Sequence, residues 1–483
     1  MSAPDRKPLC SAHCNPKATA DAKSLLFPVP NPILPCPTSL PPAYPGAVFE
    51  MLEPFPTTPT RARPRARIWC ELRRKMADFR RFEIAHYPSS AYRVSMQLQS
   101  FDPALFLRDY WQKRPLLIRN AFADWINPLE PEELAGLACE EGVEARLIAR
   151  RGDNWALEHG PFPEARFTRT QPDPWTLLVQ AVDHHVPQVA ALLAPFRFIP
   201  NWRIDDVMVS YASDGGGVGP HFDQYDVFLL QGAGQRRWQV GAHCDETTPL
   251  AAHEDLRLLA DFEATEEWLL SPGDMLYVPP RLAHNGVAVG EGCMTYSIGF
   301  RAPARSDLLT HWIDHLIDSL DDDDRYEDRF DQAGQRPPAN PGEISPSALA
   351  RLHAMVTEKL LDAQAFARWF GRYSSTRKYP DTDWRPEDPI TPEELRDYLD
   401  QPLIRNPASR FAFIREGKDA LWLFVDGESF PCAGEAAKLA ELLCAQDQFT
   451  LSPALAKSQA ALTLIATLLN HGSIAFDGEE GEE

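Results

Sequence analysis

Gly215-Gly216-Gly217-Val218-Gly219-Pro220-His221-Phe222-Asp223-Gln224-Tyr225-Asp226-Val227-Phe228 is the stretch from which the rest of the chain can be read. His221 and Asp223 stand two positions apart in it. In a β-strand, residues i and i+2 point to the same face. Phe222 to Leu230 is rich in aromatic and branched residues, which predicts a strand. An imidazole and a carboxylate would then lie side by side.

A third polar group of the right kind follows. Ser271-Pro272-Gly273-Asp274 is a turn signal, Met275 to Val278 is an apolar run, and Pro279-Pro280 ends it. His284 comes next, 61 residues beyond Asp223. That gap leaves room for several strands before the chain returns to the same face. Two histidines and one carboxylate make the facial triad of non-haem Fe(II) sites, which leaves coordination positions open. His-x-Asp alone is a short pattern that recurs by chance. The glycine-rich approach, the strand context and the later Pro-Pro-x-x-x-His give it weight. Gly232-Ala233-Gly234-Gln235 reads as a tight connection, and Arg236 to Val240 as the next strand. Arg236, Trp238 and Val240 then share one face, and Arg237 points the other way.

These residues resemble a known family. Trp202 to Met208, the Gly215–Phe228 stretch, and Gln231-Gly232-x-Gly234-x-Arg236-Arg237-Trp238 are similar to the bacterial JmjC-type ribosomal oxygenases. The resemblance runs from about Met96 to the C-terminus. It implies an α+β chain with a double-stranded β-helix (jelly-roll, cupin) core, a helical dimerisation region and a C-terminal winged-helix-like domain. It also implies an Fe(II)- and 2-oxoglutarate-dependent oxygenase that uses O2 to hydroxylate an arginine of a large-subunit ribosomal protein. The expected domains are a Pro-rich extension (1–95), the catalytic domain (96–304), the helical region (305–385) and the winged-helix-like domain (386–483).

Bulk composition agrees with a globular, multidomain chain. The 483 residues are 44% hydrophobic and carry a net charge of −21. Residues 1–95 hold 14 Lys/Arg against 7 Asp/Glu, so the remainder carries −28. An acidic body disfavours nucleic acid and suits a basic protein partner. The same acidity would also serve solubility alone. Residues 1–95 contain 16 of the 45 prolines and show no sustained periodicity, the pattern of a disordered extension. Nine cysteines without a C-x-x-C pair indicate a reduced, cytoplasmic protein without structural zinc. Apolar runs long enough to span a membrane are absent from the sequence.

Further along, Ser100 or Asp102 can cap a helix that has Pro103 in its first turn. Lys113 to Arg119 and Arg146 to Arg150 read as strands, and Pro131 to Ala135 opens a helix. Trp175 to Val186 reads as an amphipathic helix, with His184 and His185 near its end facing the helix dipole or solvent. Ser306 is placed as the cap of a helix through Ile317, and Ser345 to Arg372 as one or two helices. Thr391 starts the last domain, with strands Arg410–Arg415 and Ala420–Val425 and a helix over 434–444. This domain lacks a basic stripe and ends acidic, which favours a protein-contact or packing role.

His221, Asp223 and His284 would hold iron, whose open positions suit a chelating 2-oxo acid and O2. The distal carboxylate of 2-oxoglutarate needs a cation, and Arg236 is the candidate, by its inward register and by the family motif. A surface ion pair is the plainer role for this arginine. A second donor to that carboxylate is expected without an assignment. A substrate arginine needs a carboxylate and an aromatic wall. Asp206 and Tyr225 match the family's substrate positions, with Met208 on the Asp206 face and Ser297 a weaker match. Strand alternation turns Asp205 and Asp226 away. The competing functions are a JmjC histidine hydroxylase or lysine demethylase, and a non-enzymatic acidic cupin that chaperones a basic protein.

Overall fold

Two long strands carry the architecture. β6 (Asp226–His243) runs 18 residues and β9 (Leu282–Phe300) runs 19. They pair antiparallel from Asp226↔Phe300 to His243↔Leu282. The computed structural model describes residues 98–477 apart from 123, 153, 168–172, 254 and 329–339. The expected Pro-rich extension therefore lies outside the described residues.

The expected turn at 232–235 is instead a distortion within β6. The register with β9 shifts between Gln231 and Ala233 and again before Gln235. Gly234 adopts φ +60, and a Cβ there would sit 2.7 Å from the Gly292 carbonyl. Glycines in the left-handed region mark turns and bulges alike, and here the ladder continues past them. The consequence is a bend. Val227–Leu230 pairs with β8 (Met275–Val278), whereas Arg236–Val240 pairs with β7 (Glu266–Leu270). One strand thus serves both halves of a curled sheet.

The nine-stranded sheet has the order β1-β8-β6-β9-β5-β4-β2-β3, with β7 on β6. The remaining strands are β1 (Leu116–Ile118), β2 (Ala145–Arg151), β3 (Asn154–His159), β4 (Trp175–Val179) and β5 (Ile204–Ala212). β4 overturns the expected helix over 175–186. It lies between β2 and β5, and Thr176 to Val179 are all buried. A strand covered on both faces is a continuous apolar run, which periodicity cannot tell from a helix. Ala181 at φ +50 breaks the chain direction, and a short 3-10 turn, Val182–His184, follows. His184 is buried and packs against Tyr379, rather than facing solvent.

Aromatic rings fill the space behind the barrel. Asp102, rather than Ser100, caps α1 (Pro103–Asp109) through the amides of Ala104 and Leu105. Phe106 of α1 is 1% exposed and meets Tyr277 edge-on at 4.9 Å and Phe228 at 5.4 Å. Phe196 and Phe300 complete the cluster. α2 (Pro131–Leu137) buries Leu134 and Leu137 in the same core.

Beyond the barrel come α3 (Arg305–Asp318), α4 (Pro346–Leu360) and α5 (Ala363–Ser375). Ser306 is not the cap of α3. The helix starts two residues earlier, at Arg305 after Ala304, and the Ser306 hydroxyl bonds Asp307 instead. Ser345 caps α4 through the Ala348 amide. The C-terminal region forms the sheet β10-β11-β12 (Phe411–Arg415, Ala420–Val425, Glu428–Ala433). α6 (Glu435–Ala445) packs on this sheet and α7 (Gln459–Asn470) packs on α6, so that Leu439, Leu443, Leu462 and Ile465 share one core with Leu423.

Candidate metal centre and cosubstrate pocket

His221 and Asp223 do not lie on a strand, because β6 begins only at Asp226. His221 is held by a bridge instead. Its amide donates to the His284 carbonyl at 3.0 Å, and the His284 amide returns the bond at 2.8 Å. The Asp223 carbonyl accepts from the Arg281 amide, where Arg281 sits at φ +65 just after the two prolines. The turn before β9 is therefore fastened to the approach of β6. The glycine run makes that approach possible. A Cβ on Gly217 would lie 2.4 Å from the Gly286 carbonyl, so the two backbones touch where any side chain would intrude.

The ring nitrogens are oriented by backbone carbonyls. His221 Nδ1 lies 2.9 Å from the Gly219 carbonyl, and His284 Nδ1 lies 2.9 Å from the Leu282 carbonyl. Nδ1 carries the proton in each, which leaves Nε2 as the lone-pair nitrogen. The two Nε2 atoms stand 3.9 and 3.6 Å from Asp223 Oδ2. Among the described residues, the ligand atoms of these three lie within 4.8 Å of one another. Burial, and then His221, push the His284 pKa down to about 4, so its imidazole is neutral. His284 is 2% exposed, and His221 and Asp223 are partly open. A cation held here would be covered on one side and accessible on the other. The donor set of two imidazoles and one carboxylate fits Fe(II).

Arg236 supplies a second, independent feature. It is 3% exposed, yet no carboxylate among the described residues pairs with it. Nη2 lies 3.5 Å from Ser210 Oγ, and Nε makes no hydrogen bond. The guanidinium stands over Trp238 at 5.7 Å. A buried charge without its counter-ion is costly. An anionic ligand seated against Arg236 would remove that cost, which fits the distal carboxylate of a dicarboxylic acid. Arg237 faces outward to Glu267 at 3.3 Å. Ser210 was not singled out from the sequence. It stands two and four positions beyond Met208 and Asp206, and that i, i+2, i+4 row on β5 was the available signal.

The residues expected on the substrate side fall around Asp206. Its carboxylate is buried, and Oδ2 accepts from Gln180 Nε2 at 2.7 Å, the Ala181 amide at 2.8 Å and Lys378 Nζ at 3.1 Å. Burial raises its pKa against the opposing pull of Lys378. Tyr225 is 43% exposed as a residue, but desolvation of its hydroxyl end, and then the Asp223 and Asp206 carboxylates, keep that hydroxyl protonated. Met208 and Ser297 are paired across β5 and β9, both half-buried. Asp226 lies apart from these, fully buried and bonded to Tyr277, Gln112 and Arg203. Asp205 does not follow simple alternation. β5 is irregular between Ile204 and Val207, so Asp205 also reaches Lys378, at 3.0 Å, and meets Arg410 at 3.0 Å. Burial opposes its charge, but Lys378 and Arg410 hold Asp205 below the ordinary carboxylate range.

A cavity of about 2030 Å³ lies elsewhere. It runs between the barrel and the C-terminal region and is lined by Asp205, Arg301 and Arg410 but by none of the triad.

Residues 191–308 match the JmjC domain family and residues 358–475 match the ROXA-like winged helix family. The chain is 36% identical to the ribosomal protein uL16 3-hydroxylase of Escherichia coli K12, over 77% of this chain and 97% of that protein. It is 44% identical to a probable ribosomal oxygenase of Haemophilus influenzae, over 43% of this chain and 51% of the relative. The structure of YcfD, an E. coli ribosomal oxygenase in complex with cobalt and 2-oxoglutarate, superposes with a TM-score of 0.69 at 35% identity. That match covers 79% of this chain and 100% of YcfD.

Proposed function

This chain belongs to the JmjC-type ribosomal oxygenases, and from that premise we propose that it hydroxylates an arginine side chain of a large-subunit ribosomal protein, using Fe(II), 2-oxoglutarate and O2. The observation that carries the reading is Arg236, a buried guanidinium without an anion in the same barrel as two oriented imidazoles and a carboxylate. His221, Asp223 and His284 would hold the iron. When bound, iron with 2-oxoglutarate and O2 supplies the oxidising power for C–H hydroxylation, with succinate and CO2 as coproducts.

The chain's own residues do the rest. Arg236 and Ser210 anchor the cosubstrate's distal carboxylate by charge-assisted bonds inside the sheet. The Gly219 and Leu282 carbonyls keep both Nε2 lone pairs pointed at the metal position. Asp206 receives the substrate guanidinium, and Tyr225 forms the wall beside it. A carboxylate at that position selects a cation over a neutral imidazole, which favours arginine over histidine as the target. Met208 and Ser297 line the same face. Closing the peptide over this mouth excludes water from the reacting carbon.

The working form is a homodimer in the cytoplasm. α3 and α4 expose Leu309, Ile317, Leu349 and Val356, each at least half exposed, which is apolar surface suited to a second copy. The acidic body supports a basic protein partner rather than nucleic acid. Among the described residues no helix is long and apolar enough to cross a membrane. The deciding experiment measures succinate formed from 2-oxoglutarate with Fe(II), with and without an arginine-containing basic peptide. Stimulation by that peptide, but not by its arginine-to-citrulline counterpart, is the expected result. Equal turnover with both peptides would exclude arginine as the target.

A further inference from the structure

Lys378 follows α5 on the segment that leads into the C-terminal region. Its Nζ lies 3.0 Å from Asp205 Oδ2 and 3.1 Å from Asp206 Oδ2. One ammonium therefore meets the carboxylates of two consecutive residues, which the irregular register of β5 brings to it. The Lys378 side chain is 20% exposed and that of Asp206 only 4%. Such a pair is shielded enough from solvent to fix geometry.

The bonds are divided unevenly between the two oxygens of Asp206. Oδ2 takes all three donors, from Gln180, Ala181 and Lys378. Oδ1 accepts no hydrogen bond among the described residues and lies toward the Gly299 backbone. Three donors on one oxygen fix the plane of the carboxylate and leave the other oxygen in a set direction. Asp205 is occupied at the same time by Lys378 and Arg410, so it is not a rival acceptor for an incoming cation.

We propose that Lys378 is a positioning residue for substrate recognition: it locks Asp206 through Oδ2, so that Oδ1 is presented as the acceptor of the substrate guanidinium. The chain leading into the C-terminal region thereby contributes to the choice of substrate. The inference rests on the reading of Asp206 as the guanidinium acceptor. Two other roles are distinguishable from it. A plain strut between barrel and C-terminal region would affect every ligand alike. An internal competitor, holding the place of the substrate's cation, would weaken binding by its presence.

The test measures binding of an arginine peptide to the Fe(II)- and 2-oxoglutarate-loaded full-length protein without O2, where turnover is stopped, together with 2-oxoglutarate affinity. Lys378→Met should weaken peptide binding about ten- to hundredfold, the scale of a misplaced contact group. The 2-oxoglutarate affinity should change little, and Lys378→Arg should recover part of the loss. Adding Lys378→Met to Asp206→Asn should cost little further, because the lysine acts through that carboxylate. The double variant D205N/K378M, read against D205N, removes the stranded negative charge and should show the same selective loss even if K378M is too unstable to purify. Tighter peptide binding, or equal losses for peptide and 2-oxoglutarate, would overturn the proposal. Asp206→Asn separates the two layers. If it leaves peptide binding intact, the acceptor reading itself fails. If it weakens binding while K378M does not, only the role of Lys378 fails.

Discussion

The two sides of the proposed site are built in different ways. The metal and cosubstrate side uses the paired strands β6 and β9, the turns that enter them and Ser210 of β5, and its two imidazoles are oriented by backbone carbonyls two residues away. The substrate side at Asp206 is assembled from β5, the turn at Gln180–Ala181 and a lysine 172 positions further along the chain. Short-range geometry sets the first, and counter-charge across the fold sets the second. The comparison predicts that damage to one side leaves the ligand of the other side bound.

The largest effect belongs to the triad. His221→Ala or His284→Ala should abolish bound iron and turnover together, because two remaining ligands hold a labile divalent ion poorly. Metal content after gel filtration and succinate release are the checks, and retention of both would remove the residue from the site. Next come the two charged anchors. Losing one partner of a buried, charge-assisted pair costs about 2–5 kcal/mol. That is ~30-fold to several thousandfold in kcat/KM. Arg236→Ala should spend this on the 2-oxoglutarate requirement, and Asp206→Asn on the arginine peptide. A crossed result, with Asp206→Asn raising the 2-oxoglutarate KM, would break the division between the sides.

What the sequence disclosed follows the same line. His221 and Asp223 precede β6 and are brought to His284 by a backbone bridge that alternation does not foresee, whereas the inward register of Arg236 follows from strand alternation and is legible without a structure. The strand β4 was not, because burial on both faces erased its period. The bend at Gly234 was not, because a glycine in the left-handed region reads equally as turn or bulge. Lys378 was invisible, since no pattern links a lone lysine to an Asp-Asp pair so far away. Alternation also misled at Asp205, where the irregular register turns the residue toward Lys378 and Arg410 rather than simply away.

Asp205 gives a smaller, sharper contrast. Simple alternation makes Asp205→Asn neutral. With two cations within 3.0 Å and the side chain 32% exposed, the substitution should cost stability by about 1–2 kcal/mol after solvent screening. Thermal unfolding measures it, and an unchanged Tm would restore the alternation reading. Smallest in acid, where the carboxyl is neutral in the folded and the unfolded chain alike, is Asp183→Asn. Burial, with the Asp206 charge, pushes the Asp183 carboxyl up to about 8, while its Oδ1 accepts from the Val207 amide. It therefore holds its proton at pH 7, and the amide replaces a neutral acid. A raised folded pKa contributes stability that is fully present below the unfolded value, near 3.9, and lost as pH rises through about 8. The neighbouring charges are Asp206, Lys378 and the Asp205–Arg410 pair, with His184 neutral beside it. Asp183→Asn should flatten the fall in Tm across that window, and an unchanged slope would mean Asp183 is ionised at pH 7.

The central claim is that Arg236 reads the cosubstrate while Asp206 reads the arginine. The most direct measurement is mass spectrometry of an arginine peptide and its citrulline counterpart after incubation with Fe(II), 2-oxoglutarate and O2, for the wild-type chain and Asp206→Asn. The account predicts one added oxygen on the arginine of the first peptide, none on citrulline, and loss of the modification in Asp206→Asn at saturating 2-oxoglutarate. Oxygen added equally to both peptides, or undiminished modification by Asp206→Asn, would contradict it.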